Sequence, residues 1–269
     1  MEQVAEILRL LGGTVIYRPY VYAFFACFLV YATYHLGWKR MLTFMVTTWL
    51  IAFGSEFSTT RNGFPFGPYA YFDATRTREL WVGNVPFWDS LSFVFLSYFS
   101  FVMAAAIVSG PEGLASGRWT GIRSRLTPLL GGCIMMLLDV VIDPVTLQGE
   151  KWFLGRIYEY PYRGFYFGVT AANFAGWFFV GYVSQWLMQR LTDFAPWCKD
   201  PFRKLHPRFV WLVYAVYGGV FAFNLAITIW IRDYQLAAAS AAVSILTMTG
   251  IAWLLRRQPG ADKKERRYA

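Results

Sequence analysis

Leu126 to Pro144 reads LTPLLGGCIMMLLDVVIDP. From Leu129 to Leu138 every residue is apolar or small, with no polar stripe on any face. A helix apolar all round is buried in a large core or spans a bilayer. Crossing ~30 Å of hydrocarbon takes ~20 such residues. The stretch closes on two carboxylates, Asp139 and Asp143, one helical turn apart and so on one face. Charged groups inside a span cost at least ~2.5 kcal/mol each at its centre. The fold class and the candidate chemistry are thus posed together.

Six further blocks of the same kind flank this one: Tyr20–Tyr34, Met41–Phe57, Pro86–Val108, Phe165–Leu187, Phe209–Ile231 and Leu236–Leu255. The predicted fold is all-α, a polytopic membrane helix bundle of about seven transmembrane helices. Residues 1–269 form a single integral-membrane domain, with no internal repeat. The first block is short and can recruit the segment before Arg18 and Pro19. Before it, Val4, Ile7, Leu8 and Leu11 fall at helical spacing, which predicts a short N-terminal interfacial helix. No basic region precedes an apolar core at the N-terminus, so no signal peptide is expected.

Composition agrees: 57% of residues are hydrophobic and only 15% charged, too little charge for a water-facing surface of this size. The net charge of +9 sits in loops and the tail. It therefore points to lipid headgroups and not to nucleic acid. If residues 256–269 are a basic cytoplasmic tail, that side also collects Lys39, Arg40, Arg118, Arg123, Arg125, Arg190, Lys199, Arg203, Lys204 and Arg208. It then holds 16 of the 25 Lys and Arg, the bias expected of an inner-membrane protein. Cys27, Cys133 and Cys198 lie far apart without a CxxC, so no disulfide framework is expected. Two histidines, His35 and His206, are too few for a His-rich metal centre. No GxGxxG follows a strand. No metal and no cofactor are expected.

Glu56 sits at the end of the second block, Asp89 in the first turn of the third, and Asn173 early in the fifth, with Trp177 one turn later. With alternating topology these side chains, together with Asp139 and Asp143, land at the non-cytoplasmic end of their helices. Two long connections, 58–85 and 143–164, cover that end, and loops of that length tend to be functional. Glu56 and Asp139, flanked by apolar residues, are hard to explain away, while the others have a plainer explanation beside the functional one. Asp89 suits a helix N-terminus, Asp143 before Pro144 suits a helix stop, and Asn173 and Asn224 suit interhelical hydrogen bonds. The aromatics Tyr69, Tyr71, Trp81, Trp88, Tyr158, Tyr160, Tyr162 and Tyr166 suit an interfacial belt, or a pocket for positive charge, because aromatic faces attract cations.

A family resemblance runs through these residues. Glu56 is followed by Gly63-Phe64-Pro65-Phe66-Gly67-Pro68-Tyr69-Ala70-Tyr71, then Val85-Pro86 with Trp88. Next come Leu138-Asp139-Val140-Val141-Ile142-Asp143-Pro144 and Tyr166-Phe167-Gly168-Val169, leading to Asn173-Phe174-Ala175-Gly176-Trp177. In order and spacing the chain resembles the membrane carotenoid biosynthesis proteins that include the carotenoid 1,2-hydratases of bacteria and the bisanhydrobacterioruberin hydratases of haloarchaea. The resemblance covers most of residues 50–180; the last third carries no matching motif. It implies addition of water across the terminal C=C of an acyclic carotenoid to give a tertiary alcohol. The partners implied are that carotenoid, water and the lipid bilayer.

The chemistry suits the residues. Protonating a trisubstituted alkene needs a poorly solvated acid, and a carboxyl group in apolar surroundings holds its proton more readily. A second carboxylate or an amide then orients water and takes the surplus proton. The expected catalytic residues are Glu56, Asp139 and Asp143. Glu56 or Asp139 is the acid, while Asp143 and Asn173 position water. Tyr69, Tyr71, Trp88, Asp89, Tyr166 and Trp177 complete the substrate site.

Three rivals stand beside this reading. A carotenoid end-group cyclase would use the same acid chemistry with an internal alkene in place of water. Asp139 and Asp143 as a DxxxD pair could hold Mg²⁺ on a prenyl diphosphate, though a second Asp-rich motif is missing. A carotenoid-binding scaffold without turnover is the non-enzyme alternative. A retinal protein would need a lysine in the last block, which has none, and a transporter would show paired, interrupted helices in two halves.

Overall fold

The computed structural model describes residues 1–110, 124–194, 206 and 208–257. Arg118, Arg123, Cys198, Lys199, Arg203, Lys204 and the tail from Gln258, with Lys263, Lys264, Arg266 and Arg267, lie outside the described residues. Eight α-helices are described: α1 (Glu2–Tyr17), α2 (Pro19–Leu36), α3 (Trp38–Asn62), α4 (Phe87–Ser109), α5 (Leu126–Thr146), α6 (Ala171–Phe194), α7 (Arg208–Trp230) and α8 (Tyr234–Arg256). The chain is an all-α polytopic membrane bundle. Six helices, α2–α5, α7 and α8, are long and apolar enough to cross a membrane by length and composition.

α6 differs from the other long helices. It has 24 residues, yet Asn173, Ser184, Gln185 and Gln189 lower its hydropathy, and it is absent from the six. All four of those residues are buried. The sequence places the start of this span at Phe165; the helix begins at Ala171. Phe165–Thr170 instead folds back on itself through bridges between Gly164 and Gly168 and between Tyr166 and Val169. Gly168 has φ +94°, and a Cβ on Gly164 would collide with the Val169 carbonyl, so the turn needs both glycines.

α4 is the axis. Ser90 and Leu91 are buried, as is every residue from Phe93 to Ile107, because α2, α3, α5, α6 and α7 surround it, with α8 set against α5 and α7 and also touching α4. The closest seam is α5 on α6. Gly132 faces Phe178, and a Cβ on Gly181 would stand 3.2 Å from the Gly132 Cα. Small residues let backbones approach in this way, and the approach brings the end of α5 against the start of α6. Hydrogen bonds from Tyr217 to the Ile134 carbonyl (2.9 Å) and from Tyr214 to the Met248 carbonyl (2.8 Å) tie α7 to α5 and α8.

The two long connections are joined to each other. Strand β1 (Ala70–Tyr71) pairs antiparallel with β4 (Tyr158–Glu159), while β2 (Trp81–Val82) and β3 (Val85–Pro86) form a hairpin. The N-terminal segment does not extend the first span: the chain breaks at Arg18 (φ −128°, ψ 55°), and α1 is a helix of its own. Val4, Ile7 and Leu8 on α1 are exposed. Its other face meets the first connection, where the Leu80 amide donates to Thr14 Oγ1 at 3.3 Å. The Tyr17 hydroxyl donates to the Leu154 carbonyl of the second connection.

Candidate active site

At the connection-covered end of the bundle lies a cavity of about 130 Å³. Of the residues singled out in the sequence, Glu56, Tyr69, Tyr71, Trp88, Asp89, Asp143, Asn173 and Trp177 line it. Asp139 and Tyr166 are not among its lining residues. Asp139 is fully buried behind Asp143 and Asn173. Tyr166 packs its ring on Phe167 and Phe174.

Two carboxyl stations reach the cavity, one through Glu56 and the other through Asp143. The first is Glu56, in the last turns of α3 and buried. The Tyr71 hydroxyl donates to its Oε1 at 3.1 Å, and the Ser90 hydroxyl of α4 donates to its Oε2. The second is the α5 pair. Asn173 Nδ2 on α6 donates to Asp139 Oδ2 at 2.7 Å and to Asp143 Oδ2 at 2.8 Å, and the Tyr160 hydroxyl donates to the same Asp143 oxygen at 3.0 Å. Asp139 Oδ1 and Trp88 Nε1 are buried and have no hydrogen-bond partner among the described residues.

Between the stations stands a tyrosine quartet drawn from both connections. Tyr69 packs on Tyr71, Tyr158 and Tyr160 with ring centroids 5.3, 5.5 and 6.1 Å apart. Tyr158 lies 5.7 Å from Tyr160. The β1–β4 pairing sets Tyr71 directly opposite Tyr158, so the pairing of the two connections builds the quartet. Burial pushes all four phenols above their ordinary value; Glu56 adds to this at Tyr69 and Tyr71, and Asp143 at Tyr158 and Tyr160. They therefore remain protonated donors.

A buried ion cluster flanks the first station. Arg18 pairs with Glu79 (Nε to Oε2, 2.8 Å) and with Asp89. Arg18 and Glu79 are almost wholly buried, and Arg18 and Asp89 both line the cavity. The sequence marks Arg18 only as a boundary before Pro19. The available signal is a charge set directly before an apolar span without an exposed loop to hold it. Glu79 and Ser90 gave no signal, since their burial depends on the path of the first connection. Asn224, expected to bind across helices, instead donates through Nδ2 to the Val220 carbonyl of its own helix at 2.9 Å, and it lines the cavity. His35, at the opposite end of α2, faces the Tyr98 hydroxyl at 3.0 Å and belongs to the core.

Fold and site together define a membrane-embedded helix bundle with an acid-rich chamber under a two-connection cover. The chain belongs to the carotenoid biosynthesis protein family, whose model matches residues 17–249. That match runs through the last third, where no motif was recognised in the sequence. The chain is also similar to a bisanhydrobacterioruberin hydratase of Haloarcula japonica. The two are 27% identical over 186 residues, a stretch covering 67% of this chain and 57% of that protein. The matched stretch thus spans little more than half of that relative's length. No solved structure matches the chain.

Proposed function

We propose that this protein is a carotenoid-modifying enzyme that adds water across the terminal C=C of an acyclic carotenoid, giving a tertiary alcohol. The observation that carries the reading is the pair of hydrogen-bonded carboxyl stations, Glu56 and Asp143, lining one cavity with tyrosine rings between them. Family membership and the hydratase relative favour the same chemistry.

In this scheme the carboxyl group of Glu56 gives its proton to the less substituted alkene carbon, and the π electrons form the new C–H bond. The tertiary cation left behind lies against the faces of Tyr69, Tyr71, Trp88 and Trp177. A water held at Asp143 by the Tyr160 and Asn173 network attacks the cation and passes its surplus proton to the Asp143 carboxylate. Proton return to Glu56 closes the cycle, and the net change is addition of one water. Glu56 lines the cavity whereas Asp139 lies behind Asp143, which favours Glu56 as the acid and makes Asp139 a positioning residue for Asn173. Asp89, paired with Arg18, adds negative charge beside the cation, and Tyr166 supports the cover.

The protein then forms one integral-membrane domain of the inner membrane, with the C-terminus cytoplasmic and the site on the opposite side, as the Lys and Arg distribution favours. The test is expression in a host that accumulates an acyclic carotenoid, followed by mass spectrometry of the pigments. A product heavier by one water, lost with Glu56→Gln, supports hydration. An isomer of unchanged mass would replace it with cyclisation, and untouched pigment beside well-expressed protein would overturn both.

A further inference from the structure

The cavity has two parts. The polar chamber holds Glu56, the tyrosines, Asp143 and Asn173. From it an apolar arm runs between α2 and α7, lined by Tyr20, Val21 and Phe24 on one side and Val220 and Phe223 on the other, with Phe95 and Leu96 of α4 as its floor. The polar groups of the chamber surround only one end group, so the rest of a long polyene extends along the apolar arm and beyond it.

The ring of helices around α4 offers one slack seam for that exit. α3 packs closely on α2 and on α6, α6 on α5, and α5 on α7, while α2 and α7 touch only slightly. Side chains close the α2–α7 seam at its two ends. Toward the site, Tyr20 stacks on Phe223 with centroids 4.7 Å apart, backed by Trp152 at 6.2 Å from Tyr20. Toward the other side, Tyr31 and Tyr34 meet Phe209 at 5.6 and 6.0 Å. Between these closures the arm reaches Phe24, which is half-buried. Opposite it on α7 is Gly219, where an added Cβ would stand 3.6 Å from the Phe24 ring. A Cβ at that distance is in ordinary van der Waals contact, so the Phe24 ring closes the seam against Gly219, and turning that ring aside opens it.

We infer that the α2–α7 seam at Phe24 and Gly219 is a lateral portal, through which the polyene of a long acyclic isoprenoid passes from the chamber into the surrounding lipid. This rests on the functional reading above for its substrate class. The portal explains how a substrate dissolved in the bilayer reaches a chamber roofed by both connections: it enters sideways, end group first, without crossing water. It also sets specificity, because the portal requires a slender, ring-free chain behind the reacting end.

The test narrows the seam and reopens it. Gly219→Leu places a branched side chain against Phe24 on a helix that tolerates it, and Phe24→Ala in the same chain restores the space. Gly250→Leu, on α8 with open space around it, is the control. Two readouts are taken after purification from the carotenoid-accumulating host: acyclic carotenoid retained per protein, and hydrated product. Gly219→Leu is expected to lower both by roughly tenfold or more, with the double variant recovering both and Gly250→Leu matching the parent. Should Gly219→Leu fail to fold, Phe24→Trp narrows the same seam and carries the same expectation. Parent-like retention in the narrowed variants overturns the portal, as does a parent that retains no acyclic carotenoid. A parent that retains pigment without making product overturns hydration, and the retention series still decides the portal.

Discussion

The phenol of Tyr71 donates to Glu56 at 3.1 Å from a strand that no helix carries. The hydrogen bond therefore reports on the cover as well as on the acid: Tyr71 reaches Glu56 only because β1 is held by β4. Removing the hydroxyl should weaken both catalysis and closure while leaving the helices intact.

Tyr71→Phe is expected to lower turnover several-fold to about tenfold, the effect of losing one hydrogen bond worth about 1 kcal/mol or somewhat more. Glu56→Gln keeps the shape and removes the proton, and should lower turnover by about a hundredfold or more. Product per membrane-inserted protein measures both. Equal activity in Glu56→Gln and the parent would remove Glu56 from the acid role.

The two α5 aspartates should separate. Asp143 lines the cavity and Asp139 does not, although both accept from Asn173. Asp143→Asn should therefore reduce turnover more than Asp139→Asn, and the comparison is made by rate at saturating pigment. The reverse order would transfer the proton chemistry to Asp139.

Arg18→Met leaves Glu79 and Asp89 buried without their cation. Breaking a buried ion cluster from one side costs about 3–5 kcal/mol, which should show as a lower unfolding midpoint in detergent. Combining Arg18→Met with Glu79→Gln and Asp89→Asn removes the stranded charges and should recover most of the loss. A single variant as stable as the parent would mean that water reaches the cluster.

The quartet gives a pH signature. Burial holds the phenols of Tyr69, Tyr71, Tyr158 and Tyr160 above their ordinary value. The unfolded chain then ionises these groups first, so their contribution to stability is full below about pH 10 and falls above it. Replacing the four by Phe should leave the tyrosinate absorbance that appears near pH about 10 unchanged and flatten the alkaline loss of stability.

Much of this was legible in the chain. Seven apolar blocks fall on seven long helices, and six of these are apolar enough along their length to cross a membrane. Alternation then sends Glu56, Asp89, Asp139, Asp143 and Asn173 to one end. Less legible were the features set by the connections. Arg18, Glu79 and Ser90 carry no periodicity, and the Tyr71–Tyr158 register arises from two segments far apart in the chain. Phe165–Thr170 reads as helix from its hydropathy, but Gly164 and Gly168 make it a turn. The separation of Asp139 from the cavity depends on the rotation of α5, which the Gly132–Gly181 approach sets and spacing alone does not.

α6 carries a last consequence, for how the protein is made. Its buried Asn173, Ser184 and Gln185 find partners on α4 and α5, with Ser184 against Ser97 at 2.9 Å and Gln185 donating to the Ser97 carbonyl at 3.2 Å, while Gln189 donates to the Ser124 carbonyl just before α5 at 3.0 Å. A segment this polar gains little by partitioning into lipid alone. During synthesis its entry is favoured by α4 and α5 already in the bilayer, which receive its polar side chains. The Asp139–Asn173 contact is then formed in the act of insertion, and the acid chamber is assembled no earlier than its least lipid-soluble helix.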